Sequence, residues 1–279
     1  MLSRLHLHGP VREALAEDYG RGDLTTEACV PAGALGRAVL AAREPLTFCG
    51  GPVVAEVYAQ LDPEVRVEPR CAEGARLRPG DVAVEISGPA RAILAGERVA
   101  LNFCQRLSGV ATLTRAYVER LHPGSPTRIA DTRKTTPGLR LLERYAVRCG
   151  GGANHRADLG AAVLIKDNHV AAAGGVAEAI RRARAASPHT GRITCEVDTL
   201  GQLAEALAAG ADAVLLDNFS DAEVAEAVAV VAGRALVEVS GGVPPQRVAA
   251  LSAVGVDVIS VGALTHSARA VDLGLDWVG

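Results

Sequence analysis

From about residue 128 onward the chain repeats one pattern: a short β-branched run, a polar cluster, then an alanine-rich stretch with apolar residues at helical spacing. That alternation marks successive βα units, whose strands pair in parallel and whose helices cover the sheet. Strands are predicted at Arg128-Ile129-Ala130, Ala162-Val163-Leu164-Ile165, Ile193-Thr194-Cys195-Glu196-Val197, Ala213-Val214-Leu215-Leu216, Leu236-Val237-Glu238-Val239 and Val258-Ile259-Ser260-Val261. The later ones recur at intervals of roughly 20 residues, about the shortest length that holds a strand, a helix and two tight loops, which favours a closed or nearly closed barrel. Six to seven strands leave that barrel incomplete. The expected class is therefore α/β, with an open α/β barrel.

The first hundred residues have a different texture. Short alternating runs such as Arg37-Ala38-Val39-Leu40-Ala41 and Asp81-Val82-Ala83-Val84-Glu85-Ile86 are broken by Gly50-Gly51-Pro52 and Arg78-Pro79-Gly80. They predict a small α+β domain with antiparallel strands. Between Ala90 and Leu121 the apolar residues Ile93, Leu94, Val99, Leu101, Leu107, Leu113 and Val118 predict two linking helices with Gly109 as their join. The expected division is an N-terminal domain with its linking helix over residues 1–108 and the barrel over 109–279. The end of the chain is a candidate to pack on the N-terminal domain.

Bulk composition excludes several classes. A formal charge of -3 with 3% aromatic residues supplies neither a basic field nor stacking platforms for nucleic acid. The six cysteines, at 29, 49, 71, 104, 149 and 195, never approach C-x-x-C spacing, so the expectation is reduced, buried thiols in a cytoplasmic protein and no zinc site. No apolar run nears the ~20 residues of a membrane span. His6 and His8 are read as surface residues.

The polar clusters concentrate at the predicted C-terminal ends of the strands, where α/β barrels build their active sites. Only two of the 29 basic side chains are lysines, Lys134 and Lys166, and each lies in such a cluster. A lysine kept in an arginine-rich chain points to a need for a compact point charge. Arg133, Lys134, His155, Arg156 and Lys166, with Arg98 from the linking helices, make a cationic set suited to multiply anionic substrates. Glu196 and Asp217, at equivalent strand ends, suit ribose hydroxyls or a hard cation such as Mg²⁺, or else salt bridges to those cations. Gly241-Gly242, and Gly262 with Ala263-Leu264-Thr265, are expected to put free backbone N–H groups at two adjacent helix N-termini, a phosphate-binding arrangement. His155, next to Arg156, is expected to donate a hydrogen bond rather than abstract a proton. His169 and His266 are candidates to cap helices or fix loops, and Asn154, Asn168 and Asn218 to orient neighbours.

The runs D-T-R-K-T-T-P-G (131 to 138), G-G-G-A-N-H-R (150 to 156), I-K-D-N-H (165 to 169), L-D-N-F (216 to 219) and V-G-A-L-T-H-S (261 to 267), with G-R-G-D-L-T-T (20 to 26) and E-R-V-A-L-N (97 to 102), together resemble the quinolinate phosphoribosyltransferase family over nearly the whole chain. The resemblance implies an N-terminal α/β sandwich domain, an open α/β barrel and a homodimer with shared active sites. It implies transfer of phosphoribosyl from 5-phosphoribosyl 1-diphosphate to quinolinate with decarboxylation and with Mg²⁺. By that resemblance Arg133, His155 and Arg156 hold the two carboxylates together with Arg98 of the partner subunit, Lys134 and Lys166 neutralise phosphate and leaving-group charge, and Glu196 and Asp217 meet ribose hydroxyls and Mg²⁺. Ser240, Gly241, Gly242, Gly262 and Ala263 cradle the 5′-phosphate, and Thr132 and Val261 complete the substrate-binding set. Three rivals remain at this level: a phosphoribosyltransferase for nicotinate, a Schiff-base aldolase using Lys166, and a non-catalytic phosphate-binding barrel.

Overall fold

The computed structural model describes residues 2–278. They form two compact units. One runs through Arg115 and also takes in Thr135–Gly151 and the segment from Thr265 on; the other comprises Ala116–Lys134 and Gly152–Leu264.

In the first unit, α1 (Arg4–Tyr19) and α2 (Leu24–Cys29) precede β1 (Leu35–Ala42), β2 (Leu46–Thr47), α3 (Gly51–Leu61), β3 (Arg66–Pro69), β4 (Arg76–Leu77) and β5 (Val82–Pro89). The pairs β1–β5 and β3–β5 are antiparallel. Burial alternates along β1, as a sheet with one covered face requires. From α3, Val53, Val54, Val57 and Tyr58 are fully buried. The Tyr58 hydroxyl meets the interior's demand for a partner by donating to the Ile93 carbonyl at 3.1 Å.

The two expected linking helices are one. Helix α4 runs unbroken over Ala90–Val118, straight through Gly109. A Cβ at Gly109 would lie 1.9 Å from the Arg269 carbonyl oxygen. The glycine is there for close backbone approach, which outweighs its intrinsic penalty of roughly 1 kcal/mol in a helix interior. It is not a join.

The second unit is a parallel sheet wrapped by helices. Its strands are β6 (Arg128–Ala130), β7 (Val163–Ile165), β8 (Ile193–Val197), β9 (Ala213–Asp217), β10 (Leu236–Ser240) and β11 (Val258–Ser260). Between them lie α5 (Arg140–Cys149), which belongs to the first unit, then α6 (Asp167–Ala173), α7 (Val176–Ala186), α8 (Leu200–Ala208), α9 (Asp221–Val231) and α10 (Val248–Ala253). The strand order is β6-β11-β10-β9-β8-β7, and every ladder is parallel. All six predicted strands are present. Among the described residues no ladder joins β6 to β7, so the barrel is open there; a single parallel bridge of Ala130 to Ala153 adds a one-residue stave beside β6. Local signals end the helices cleanly: Ser220 and Glu223 form a capping box at α9, and Gly174 closes α6 in the left-handed region.

After β11 the short α11 (Ala263–His266) leads to β12 (Leu273–Trp277), which pairs antiparallel with β1. A Cβ on Gly36 would collide with the Trp277 ring at 2.1 Å, so β1 needs glycine there.

Candidate active site

Strand periodicity sorts the barrel's side chains onto two faces. Val197, Leu216, Val239, Ile259 and Ile129 are all buried. The opposite set carries the acidic candidates: in register, Glu196 stands beside Leu215, Leu215 beside Glu238, and Glu238 beside Val258. One step of two residues further on, Asp217 stands beside Ser240. Glu196 and Asp217 therefore share a face but sit one layer apart, rather than at equivalent strand ends, because Glu196 lies inside the β8 ladder whereas Asp217 ends β9.

At the end of β6, Asp131 is fully buried. A buried carboxylate is tolerable only when hydrogen-bonded. Asp131 accepts from the Asn154 side chain and, at 2.8 Å, from the His155 backbone N–H. That fastens the segment carrying His155 and Arg156 to the end of β6, just before the loop carrying Arg133 and Lys134. Thr132 tightens the turn by accepting from the Lys134 backbone N–H at 3.1 Å.

The imidazole of His155 is held at both nitrogens. Its Nδ1 accepts from the Arg156 backbone N–H at 2.7 Å, which puts the proton on Nε2, and Nε2 lies 3.3 Å from Glu238. Glu238 is itself buried and accepts from Ser260. Arg156 donates to the Ala162 carbonyl at 3.1 Å. Burial, and then the neighbouring Arg133 guanidinium, pull Arg156 below the ordinary arginine range. Two guanidinium groups held near each other, one of them partly desolvated, favour an anion between them.

Lys166 leaves β7 level with Glu196, since Ile165 stands beside Cys195. Its ammonium is ion-paired with Glu196, and its backbone N–H donates to His169 Nδ1 at 3.0 Å, so His169 caps α6. Asp217 accepts from the Asn218 side chain at 2.8 Å. Asn218 is in the left-handed region, and a Cβ on Gly241 would fall 2.6 Å from its backbone nitrogen. Only glycine allows the loops after β9 and β10 to approach so closely.

The two glycine turns differ from expectation in one respect. Gly262 leads directly into α11, but after Gly241-Gly242 the chain passes Val243 and Pro244 before a 3₁₀ turn at Pro245–Arg247 and then α10. Prolines delay the helix, so only one of the two helix starts adjoins its glycine. Val261 donates its backbone N–H to Ala130 at 2.9 Å, anchoring the second turn to β6.

All the expected site residues except Arg98 thus belong to the barrel unit. Arg98 lies in the first unit, exposed on α4 and without a hydrogen-bond or ion-pair partner among the described residues. Sequence reading assigned no role to Glu238 or to Asp131; each is a lone acid in or just after a β-branched run, and that mismatch was the available signal. His266 makes only a local contact with Ser267.

The carboxylates fit a hard cation in a limited way. Among the described residues no third acid, histidine or cysteine clusters with Glu196 and Asp217. This is no all-protein cage, but Mg²⁺ commonly takes only one or two carboxylates and fills its octahedron with water and substrate oxygens.

Parallel barrels that gather cations and glycine turns at the C-terminal ends of their strands are built for anionic substrates. Two family models, the quinolinate phosphoribosyl transferase N-terminal and C-terminal domains, match residues 23–108 and 110–276. The chain belongs to the quinolinate phosphoribosyltransferase family, a class of pentosyltransferase enzymes. The Mycobacterium leprae (strain TN) nicotinate-nucleotide pyrophosphorylase (carboxylating) is 44% identical over 274 residues, spanning 95% of each chain. The Homo sapiens protein of the same name is 40% identical over 269 residues, 94% of this chain and 90% of that one. The solved nicotinate-nucleotide pyrophosphorylase from Francisella tularensis has a TM-score of 0.93 at 38% identity, covering 100% of this chain and 98% of that one.

Proposed function

We propose that this chain transfers the phosphoribosyl group of 5-phosphoribosyl 1-diphosphate to quinolinate, releasing diphosphate and carbon dioxide and forming nicotinate mononucleotide for NAD biosynthesis. The observation that carries the reading is the Arg133–Arg156 pair beside His155, three groups that match two carboxylates on one planar ring.

The pyridine nitrogen attacks C1′ of the ribose as the C1′–O bond to diphosphate breaks. Positive charge grows on the ribose ring, where Glu196 and Asp217 stabilise it, while Lys134 and Lys166 take up charge on the leaving group. Lys166 begins paired with Glu196. Arriving phosphate oxygens compete for the ammonium and leave the carboxylate available to the ribose. When the 2-carboxylate departs as carbon dioxide its bonding pair stays on C2, stabilised by the positive charge on the adjacent quaternised nitrogen, and a proton then adds to that pair. His155 is oriented by its backbone bond at Nδ1, and its one N–H, on Nε2, faces Glu238 and turns to a substrate carboxylate that displaces that contact. Gly241, Gly242 and Gly262 let backbone N–H groups reach the 5′-phosphate, beside Ser240, Val261 and Ala263. Mg²⁺, held by Glu196 or Asp217 with substrate oxygens, would supply charge neutralisation on the diphosphate.

The working form in this reading is a cytoplasmic homodimer in which Arg98 of the partner subunit completes each carboxylate site. Its support is the exposed, unpartnered Arg98; six free cysteines fit a reducing compartment.

The primary test is release of labelled carbon dioxide from 2-carboxyl-labelled quinolinate, dependent on the diphosphate donor. Release is expected; equal turnover of nicotinate would favour the nicotinate-type rival. For the shared site, Arg98→Ala and Lys166→Ala proteins, each inactive, are unfolded together and refolded. Half the dimers are mixed and each has one intact site, so activity should return to roughly a quarter of wild type. A mixture that stays inactive despite subunit exchange means that Arg98 serves its own barrel.

A further inference from the structure

Outside the barrel, the first unit gathers a second set of groups that the proposed reaction does not use. Cys49, Glu73 and Cys149 bring two thiol sulfurs and a carboxylate oxygen within 4.8 Å of one another. The Cys149 thiol is 3.8 Å from Glu73 Oε2, and its sulfur lies within 4.8 Å of the Cys49 sulfur. Around a tetrahedral zinc ion, with Zn–S near 2.3 Å and Zn–O near 2.0 Å, neighbouring ligand atoms stand roughly 3.5–3.8 Å apart. The Cys149–Glu73 separation of 3.8 Å already matches one edge of such a tetrahedron, and the other two edges, each within 4.8 Å, need to close by about 1 Å at most.

The backbone holds them there. Glu73 accepts from the backbone N–H groups of Gly50 and Gly51, the latter at 2.8 Å, at the start of α3. Cys49 is locked by reciprocal hydrogen bonds between its backbone and the buried Ser108 hydroxyl. Gly74, with φ +80, admits Cys149: a Cβ there would lie 2.6 Å from the Cys149 carbonyl oxygen. Cys49 is buried, whereas Glu73 and Cys149 are partly exposed, which leaves a way in for an ion.

We propose that Cys49, Glu73 and Cys149 bind one soft divalent cation of the Zn²⁺ class, with water as the fourth ligand. Binding converts both thiols to thiolates and releases about two protons per ion. The ion ties the start of α3 and the loop at Glu73 to the end of α5.

The test uses reduced, chelator-treated full-length protein titrated with Cd²⁺ and, separately, Zn²⁺. One equivalent of Cd²⁺ should produce a thiolate-to-metal charge-transfer band, and one equivalent of Zn²⁺ should slow alkylation of Cys149 at least ten-fold while the exposed Cys29 reacts unchanged. Cys49→Ser and Cys149→Ser should each lose the band; Glu73→Gln should keep it with affinity at least ten-fold weaker. The wild-type alkylation map stands without the variants, should any of them fold poorly. Absence of a one-to-one end point, or unchanged alkylation of Cys149 at saturating Zn²⁺, overturns the proposal. So does Cys149 protection that resists chelator but yields to reductant, which identifies a Cys49–Cys149 disulfide instead.

Discussion

Two partly buried arginines in this chain show how the same side chain serves opposite ends. In the first unit, Arg106 is saturated: its guanidinium donates to Glu143, Thr136, the Ala268 carbonyl at 2.6 Å and the Thr265 carbonyl. Glu143 is fully buried and also accepts from the Thr136 backbone and hydroxyl. In the barrel, Arg156 donates to the Ala162 carbonyl, and burial, then the like charge of Arg133, lowers its pKa. A matched ion pair fixes the chain; a crowded like-charged pair holds free energy that a substrate anion can release. In the proposed reading, stability and function therefore separate onto different arginines.

That contrast can be broken most severely at the Arg106–Glu143 pair. Arg106→Ala leaves the fully buried Glu143 carboxylate without its partner, at a cost of about 3–5 kcal/mol, and Glu143→Ala costs less because Arg106 is 24% exposed and keeps its carbonyl partners. Urea denaturation should show the loss in either variant, and Arg156→Ala should lose far less. If Arg156→Ala destabilises as much as Arg106→Ala, the barrel arginine is structural and the contrast fails.

The next effect is kinetic. Lys134→Ala and Lys166→Ala should each lower turnover about 10²- to 10³-fold, the typical effect of removing one preorganised charge contact. Melting temperature should barely move, because the Lys166 side chain is 45% exposed and its pair with Glu196 is correspondingly screened. Near-wild-type kinetics would remove the charge-stabilising role.

Specificity sharpens the comparison further. A guanidinium pair left facing an absent second carboxylate should disfavour nicotinate, so wild type should bind quinolinate much more tightly by calorimetry. Arg133→Ala and Arg156→Ala should narrow that preference. Glu238→Gln keeps the shape but removes the charge that faces His155 Nε2, and a roughly ten-fold change in quinolinate affinity is expected, the scale of one charged hydrogen bond. An unchanged affinity would leave Glu238 with a purely structural bond to Ser260.

How much of this could be read beforehand follows from range. The six barrel strands and the polar clusters at their ends are local patterns of period and composition, so they were visible in the chain itself. So was the cationic set from Arg133 to Lys166, because lysine is rare here. What was missed depends on partners distant in sequence. Gly109 looks like a break until the Arg269 carbonyl is seen against it. Cys49 and Cys149 have no metal-site spacing, and only the fold brings them to Glu73; Cys29 is exposed, contrary to a uniform set of buried thiols. The one-layer offset of Glu196 and Asp217 is a matter of register, which the side-chain period constrains but does not number.

The smallest effect lies on the surface of the first unit, where the last segment of the chain is tied by charge. Glu44 takes both Nη groups of Arg269 at 2.7 Å and the Asp272 backbone N–H at 2.9 Å. The Arg269 bonds, and then the Asp272 N–H, hold the Glu44 carboxyl below its ordinary range. A carboxylate whose folded pKa is depressed stabilises the fold above its unfolded pKa, near 4.3, and loses that contribution as pH falls through the folded value. The pair is exposed, with Arg269 69% accessible, so the expected effect is about 0.5 kcal/mol. Glu44→Gln should therefore melt slightly lower than wild type at pH 7, by less in high salt, and the two curves should converge as the pH falls through the folded value of Glu44. A gap that persists at low pH and high salt would assign Glu44 a packing role and leave Arg106–Glu143 as the sole charged anchor tested in this unit.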